Sequence, residues 1–197
     1  AYNDFAEEFT EAYSPEELVV LESWVREGGS LIVFSEHFPF DIAVSGLLEA
    51  FGISTSIGVT IDHDFSNENA GEIVFERDRL EKSHPIVAGK RSVTKVASYG
   101  GSALRGGGYT NILKLSGHAI NVSRNWLGVE GGPVGSGNSQ GLAGFHGDGR
   151  VAAFGDSNGF AAMIFEVDGS EDFVGMNDGA YDWRNLVLNT FDWLSLQ

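Results

Sequence analysis

The stretch Gly149-Arg150-Val151-Ala152-Ala153-Phe154-Gly155-Asp156-Ser157-Asn158 decides how the chain reads. A short apolar run stops at glycine, and a carboxylate, a hydroxyl and an amide follow at once. An apolar run without alternation, bounded by turn residues, predicts a strand covered on both faces, the habit of a parallel sheet. In open α/β sheets, ligands bind where strands end at their carboxyl edge. Asp156, Ser157 and Asn158 therefore stand where such a fold displays chemistry.

The flanking sequence extends this reading in both directions. Residues 142–145 and 150–154 predict a hairpin turning at Gly147-Asp148-Gly149. Ser14-Pro15-Glu16-Glu17 carries a capping hydroxyl, a proline at the first helical position and a glutamate at the third. Leu18, Leu21, Trp24 and Val25 then recur at helical spacing until Gly28-Gly29 ends the element. Residues 30–35, Ser-Leu-Ile-Val-Phe-Ser, predict a second strand covered on both faces, and a helix follows from about Asp41 to Gly52. The closing helix, residues 183–194, turns Trp183, Leu186, Val187, Phe191 and Leu194 toward the core. Helix, strand, helix in this order is the grammar of an α/β domain. The expectation is a single domain over residues 1–197, with a three-layer, flavodoxin-like, mostly parallel sheet and flanking helices.

The middle is less regular. Residues 57–61, 72–75, 92–99 and 111–115 predict short strands, and 62–71 and 125–141 predict loops. His84-Pro85-Ile86 must be extended or a turn, because the residue before proline avoids the helical region. A doubly wound domain opens with a strand, yet residues 1–13 are polar and acidic. That mismatch leads us to expect a piece of a larger protein, exported or at the cell envelope.

Composition bounds the function classes. The 28 acidic and 12 basic residues give a formal charge of −16, which excludes nucleic acid as a natural partner because that binding needs clustered Lys and Arg. No apolar stretch approaches the ~18–20 residues of a membrane-crossing helix, so insertion into a bilayer is not expected. The chain has no cysteine. Disulfides, thiolate metal sites and a cysteine nucleophile are all absent with it.

Several blocks together resemble the class I glutamine-amidotransferase-like superfamily, in its non-catalytic branches. They are Ser14-Pro15-Glu16-Glu17-Leu18 leading to Trp24-Val25, Gly28-Gly29-Ser30-Leu31-Ile32-Val33-Phe34, His84-Pro85-Ile86, residues 149–158 and residues 189–194. Similar domains occur in bacterial envelope proteins, in an intraflagellar transport subunit and after the protease domain of site-1 protease, which looks similar at the Gly-Asp-Ser-Asn turn itself. The resemblance implies a flavodoxin-like sheet and a role in binding or assembly, with a protein partner or other domains of the parent chain. Active members use a cysteine on a strand-to-helix turn, and attack on an amide requires that thiolate. This chain departs from the pattern there, so glutamine hydrolysis by the family's mechanism is excluded.

The residues themselves offer two further readings. Ser35-Glu36-His37 follows a predicted strand as Asp156-Ser157-Asn158 does, and neighbouring strands would bring the six into one crevice. Ser35 or Ser157 with His37 or His146 as base and a carboxylate such as Asp156 is the raw material of a serine hydrolase. Glu36 and Asn158 would line such a crevice as ligand-binding groups. Gly155-Asp156-Ser157 and Gly175-Met176-Asn177-Asp178 are similar to blocks of the SGNH hydrolases, but their order in the chain is wrong and no histidine follows His146. The other reading is a calcium-stabilised carbohydrate-binding domain: Asp168 and Asp172 supply oxygens as calcium prefers, without EF-hand spacing, and Trp126 offers a ring to stack on a sugar. The module and hydrolase readings require no cofactor, and calcium is the candidate cofactor on the carbohydrate-binding reading. Asp62-His63-Asp64 is a second group of acids, in which only Asp62 and Asp64 share a direction on an extended chain.

Overall fold

A computed structural model describes residues 10–64, 72–122, 132–133 and 139–195. Helix α1 (Pro15–Arg26) begins as its sequence dictates. The Ser14 hydroxyl accepts the Glu17 N–H at 3.3 Å and the Glu17 carboxylate accepts the Ser14 N–H at 2.8 Å, so two otherwise orphaned donors are satisfied reciprocally. Strand β1 (Ser30–Phe34) and helix α2 (Phe40–Ala50) follow. Short strands β2 (Ile53–Thr55), β3 (Val59–Ile61), β4 (Glu72–Glu76), β5 (Lys95–Tyr99), β6 (Leu104–Gly106), β7 (Thr110–Lys114), β8 (Ile120–Val122) and β9 (Gly132–Pro133) fill the middle. One helical turn, α3 (Pro85–Ala88), interrupts them, and a 3-10 turn (Arg77–Arg79) follows β4. The last third holds β10 (Ser139–His146), β11 (Gly149–Phe154), a 3-10 turn (Asn158–Phe160), β12 (Ala162–Val167), β13 (Ser170–Gly175) and α4 (Trp183–Leu194).

The main sheet runs β1-β11-β10-β6-β2, with β7 also paired to β10. β1 and β11 are parallel neighbours, Ser30 opposite Arg150 through Phe34 opposite Phe154. Its other pairings are all antiparallel. The expected mostly parallel sheet is therefore corrected to a mixed sheet with a single parallel pair. The apolar run in β11 reports burial on both faces and not strand direction. Val151 and Ala153 face a core built with Val25, Leu47, Leu48, Phe51 and Leu142, while Ala152 and Phe154 face one built with Phe75, Ile86, Trp183 and Leu186. An antiparallel strand with helices over both sides carries the same pattern.

The three long helices, the strands β1 and β11 and the β10–β11 hairpin lie where the sequence places them. Details differ where a helix has more apolar residues than its buried stripe holds. Trp24 and Phe191, expected inside, are exposed, while Trp193 is buried in α4. Pro85 starts a helix instead of a turn, with His84 extended ahead of it and capping the Ile86 N–H at 3.2 Å. Strand β10 begins at Ser139, inside the segment expected to be loop.

The hairpin β12–β13 was not expected at all. Asp168 and Gly169 have φ of 51° and 80°, and positive φ at both central residues is the two-residue type I′ turn that Asp-Gly favours. The flanking acids Glu166, Glu171 and Asp172 conceal it, because they carry no strand preference.

Removing the cap hydroxyl, Ser14→Ala, is expected to cost about 1 kcal/mol. Urea denaturation should show a lower midpoint with an unchanged slope; an unchanged midpoint would mean that α1 is held by packing alone.

Candidate functional site

The parallel pairing of β1 with β11 brings two polar tripeptides to one sheet edge. The Ser35 N–H donates to the Phe154 carbonyl at 2.9 Å, carrying the register one residue past the strand. Glu36 then turns left-handed, with φ of 57°, a conformation that costs a residue with a side chain about 1–3 kcal/mol. Its carboxylate accepts the Ser157 N–H at 2.5 Å. Ser35-Glu36-His37 and Asp156-Ser157-Asn158 thus meet as the sequence suggests for neighbouring strands.

Asp156 sits beneath them, 2% exposed. One carboxylate oxygen accepts the Tyr99 N–H at 2.5 Å, and the other accepts the Asn158 N–H at 2.9 Å and its side-chain amide at 2.8 Å. Burial pushes its carboxyl up to about 6, with the Glu36 charge adding to the effect and the three donors opposing it. Asp156 closes the turn onto its own segment and onto the end of β5; the following turn is a short 3-10 element, not the long helix that a capping aspartate would begin.

Ser35 is buried, and its hydroxyl lies 2.6 Å from that of Ser102, which also receives the Thr55 hydroxyl at 2.9 Å. Behind this chain, buried Gln140 accepts the Ser98 hydroxyl and donates to the Gly101 carbonyl at 3.1 Å. The histidines stand elsewhere. His37 donates from Nδ1 to the Phe38 carbonyl at 2.7 Å and meets the Phe40 ring edge-on. His146 pairs with Gly149 at the amino end of β11, the opposite edge of the sheet from Ser157. There its Nε2 lies 2.5 Å from Glu22. Among the described residues, the Ser35 hydroxyl meets Ser102 and the Ser157 N–H meets Glu36.

Asp168 lies at the tip of the β12–β13 hairpin, and Asp172 faces Phe165 across it. Among the described residues, no three His, Asp or Glu side chains gather as a metal site. Asp62 and Asp64 do not converge. Asp62 is buried against the Arg79 guanidinium at 2.7 Å and the Ser116 hydroxyl at 2.6 Å, whereas Asp64 reaches His118 at 2.7 Å. These donors hold the Asp62 carboxyl below its ordinary range even though burial is the largest influence and acts to raise it. Trp126 falls outside the described residues.

Ser102, Thr55, Gln140 and Tyr99 are the members of this network that the sequence reading passes over. Tyr99-Gly100-Gly101-Ser102 carries the same signal as Phe154-Gly155-Asp156-Ser157, a strand ending in glycine and then a hydroxyl. Gln140 has no comparable signal, because it lies at the start of a strand entered from a glycine-rich segment.

No family model and no curated protein matches the chain. Among solved structures, the N-terminal domain of mmIFT52 superposes with a TM-score of 0.54 at 14% identity, over 94% of this chain and 73% of that one. The chain shares that domain's fold. A ThuA-like protein from Bacteroides uniformis gives 0.47 at 13% identity, over 94% of this chain and 66% of that one. A cold-adapted β-galactosidase from Rahnella sp. R3 gives 0.43 at 10% identity, over 92% of this chain and 20% of that one. At these identities the likeness is one of fold and does not carry function. No helix among the described residues is long and apolar enough to cross a membrane.

The Asp156 carboxyl titrates at about 6 when folded and at ~3.9 in an unfolded chain. Between these values the native state keeps a proton that the unfolded chain has released. Its contribution is therefore full below about pH 4 and is lost as pH rises through about 6, by up to ~3 kcal/mol. Unfolding free energies from pH 4 to 7 should fall more steeply for the wild type than for Asp156→Asn. Parallel profiles would show that the three donors keep Asp156 ionised throughout.

Proposed function

We propose that the chain is a non-catalytic amidotransferase-like module that binds or assembles with other proteins. The observation that carries this reading is the state of the sheet edge. Most of the polar groups at this edge hold chain segments together. The Ser35 hydroxyl is buried on Ser102, both Asp156 oxygens are taken by N–H groups, and Glu36 holds the Ser157 N–H. A nucleophile needs a base within hydrogen-bond reach, and here the Ser35 hydroxyl meets that of Ser102 while the Glu36 and Asp156 carboxylates meet N–H groups. The missing cysteine points the same way. The neighbour with the same fold is by its name the N-terminal domain of a larger protein, a setting in which such a module acts through partners.

A serine hydrolase working through Ser157 is the competing reading, and it requires His37 to leave the Phe38 carbonyl and swing toward Ser157. A calcium-dependent carbohydrate-binding domain requires Asp168 and Asp172 to find further oxygens. Hydrolysis of p-nitrophenyl esters and of glutamine, measured beside Ser157→Ala and Ser35→Ala, separates the first from our proposal. The expected outcome is no turnover above either variant. Turnover lost in one variant alone, with folding intact, would replace the module by an enzyme and identify its nucleophile. For the second, melting temperatures with calcium and with EDTA are expected to coincide; a calcium-dependent rise would restore the cation site.

A further inference from the structure

The segment with the least structural explanation is the β12–β13 hairpin. Among the described residues each of its strands pairs only with the other. A lone two-stranded hairpin is marginal in water, and this one leaves large apolar side chains in solvent. Ile164 is 55% exposed, Phe165 48% and Phe173 45%.

The register sorts these residues onto faces. Ile164 stands opposite Phe173, and Glu166 opposite Glu171. Residues two apart on a strand share a face, so all four lie on one side, an apolar pair followed toward the tip by an acidic pair. Directly opposed like charges destabilise a hairpin. The arrangement is thus unfavourable twice over in isolation, with bare apolar surface and a carboxylate pair that meets no cation among the described residues. Phe165 opposite Asp172 sets an apolar and an acidic residue side by side on the other face as well.

We propose that this hairpin is the docking surface of the module, and that its occupant is an extended segment of a partner protein with apolar residues followed by Lys or Arg. Both edges of a lone hairpin offer unpaired backbone groups to a further strand. A strand added there sets an apolar side chain beside Ile164 or Phe173, and a cation two residues on, ~6.8 Å away, beside the glutamates. A second copy of this chain does not suit, because it would bring four glutamates together at one interface. The proposal rests on the module reading above.

The test uses the purified chain and a short fluorescein-labelled peptide that alternates threonine with valine, isoleucine and lysine, beside the same peptide with glutamate for lysine. The lysine peptide is expected to bind, and the glutamate peptide is not. Ile164→Thr and Phe173→Thr, which keep strand preference, should weaken binding by about tenfold or more. The double exchange Glu166→Lys and Glu171→Lys should reverse the preference between peptides. Tryptophan fluorescence from buried Trp183 and Trp193 checks that each variant is folded. Three results would overturn the proposal: no binding of the lysine peptide; equal binding by the threonine variants, which would assign it to the general negative field; or self-association of the wild type that those variants abolish, which would make a second copy the occupant. None of these bears on ester or glutamine hydrolysis, so failure here is distinct from failure of the non-catalytic reading.

Discussion

The contact that everything at the sheet edge depends on is the approach of two backbones at Gly155 and Gly101. A Cβ on Gly155 would stand 2.0 Å from the Ser102 carbonyl oxygen, and one on Gly101 would stand 2.4 Å from the Gly155 carbonyl oxygen. No side chain fits at either position, and no rotamer relieves a clash with backbone. What the glycines admit is a set of direct hydrogen bonds. The Ser102 N–H donates to the Gly155 carbonyl at 2.9 Å, and the Gly155 N–H donates to the Gln140 carbonyl at 2.9 Å. Three segments far apart in sequence are clamped at one point, immediately beyond the end of β11.

The clamp explains why the polar residues around it are buried. With the end of β5 drawn against the end of β11, Asp156 has the Tyr99 N–H in reach and no room for water. Ser102 is drawn under Ser35 by the same approach. A buried polar group without a partner costs about 1–3 kcal/mol, so a tight junction of this kind persists only when its donors and acceptors are matched. Gln140 shows the matching: its amide bridges Ser98 and Gly101 from inside the junction. The polar groups at this sheet edge form a joint between segments.

How far the sequence disclosed this can be judged residue by residue. Local signals were legible wherever one segment fixes its own conformation. The Ser14 capping box, the Gly147-Asp148 turn and the apolar run of β11 each specify an element without help from elsewhere. The meeting of Glu36 with Ser157 was legible too, because two strands that end in polar tripeptides share an edge once they are neighbours. Strand direction was legible for the β10–β11 hairpin, whose turn announces it, but not for the sheet as a whole. β10 and β11 are antiparallel through their short turn, and helices cover both of their faces, so the pattern of burial is the one a parallel strand would give. Ser102 and Gln140 stayed hidden for a further reason: their roles are set by partners about 40 to 70 residues away, and no spacing within a segment encodes such a contact.

The acidity of the chain has a similar division between what is matched and what is left over. Several of its cations are already engaged: Arg79 with buried Asp62, Arg26 with Glu22, Lys114 with Glu81, and Lys90 and Arg91 with Asp192. The Asp62–Arg79 pair, with Ser116, joins the end of β3 to the turn after β4 and to the end of β7. Losing one member of a buried pair strands the other charge and costs on the order of 3–5 kcal/mol, so Arg79 is committed to the fold, whereas the other pairs lie at the surface and contribute little. With 12 basic residues against 28 acidic ones, the unmatched charge on the surface is negative, and it weakens with distance and salt. A diffuse field of that kind speeds the arrival of cationic partners without choosing among them. Choice requires apolar surface in register with the charge, which is the arrangement that Ile164, Phe173, Glu166 and Glu171 provide.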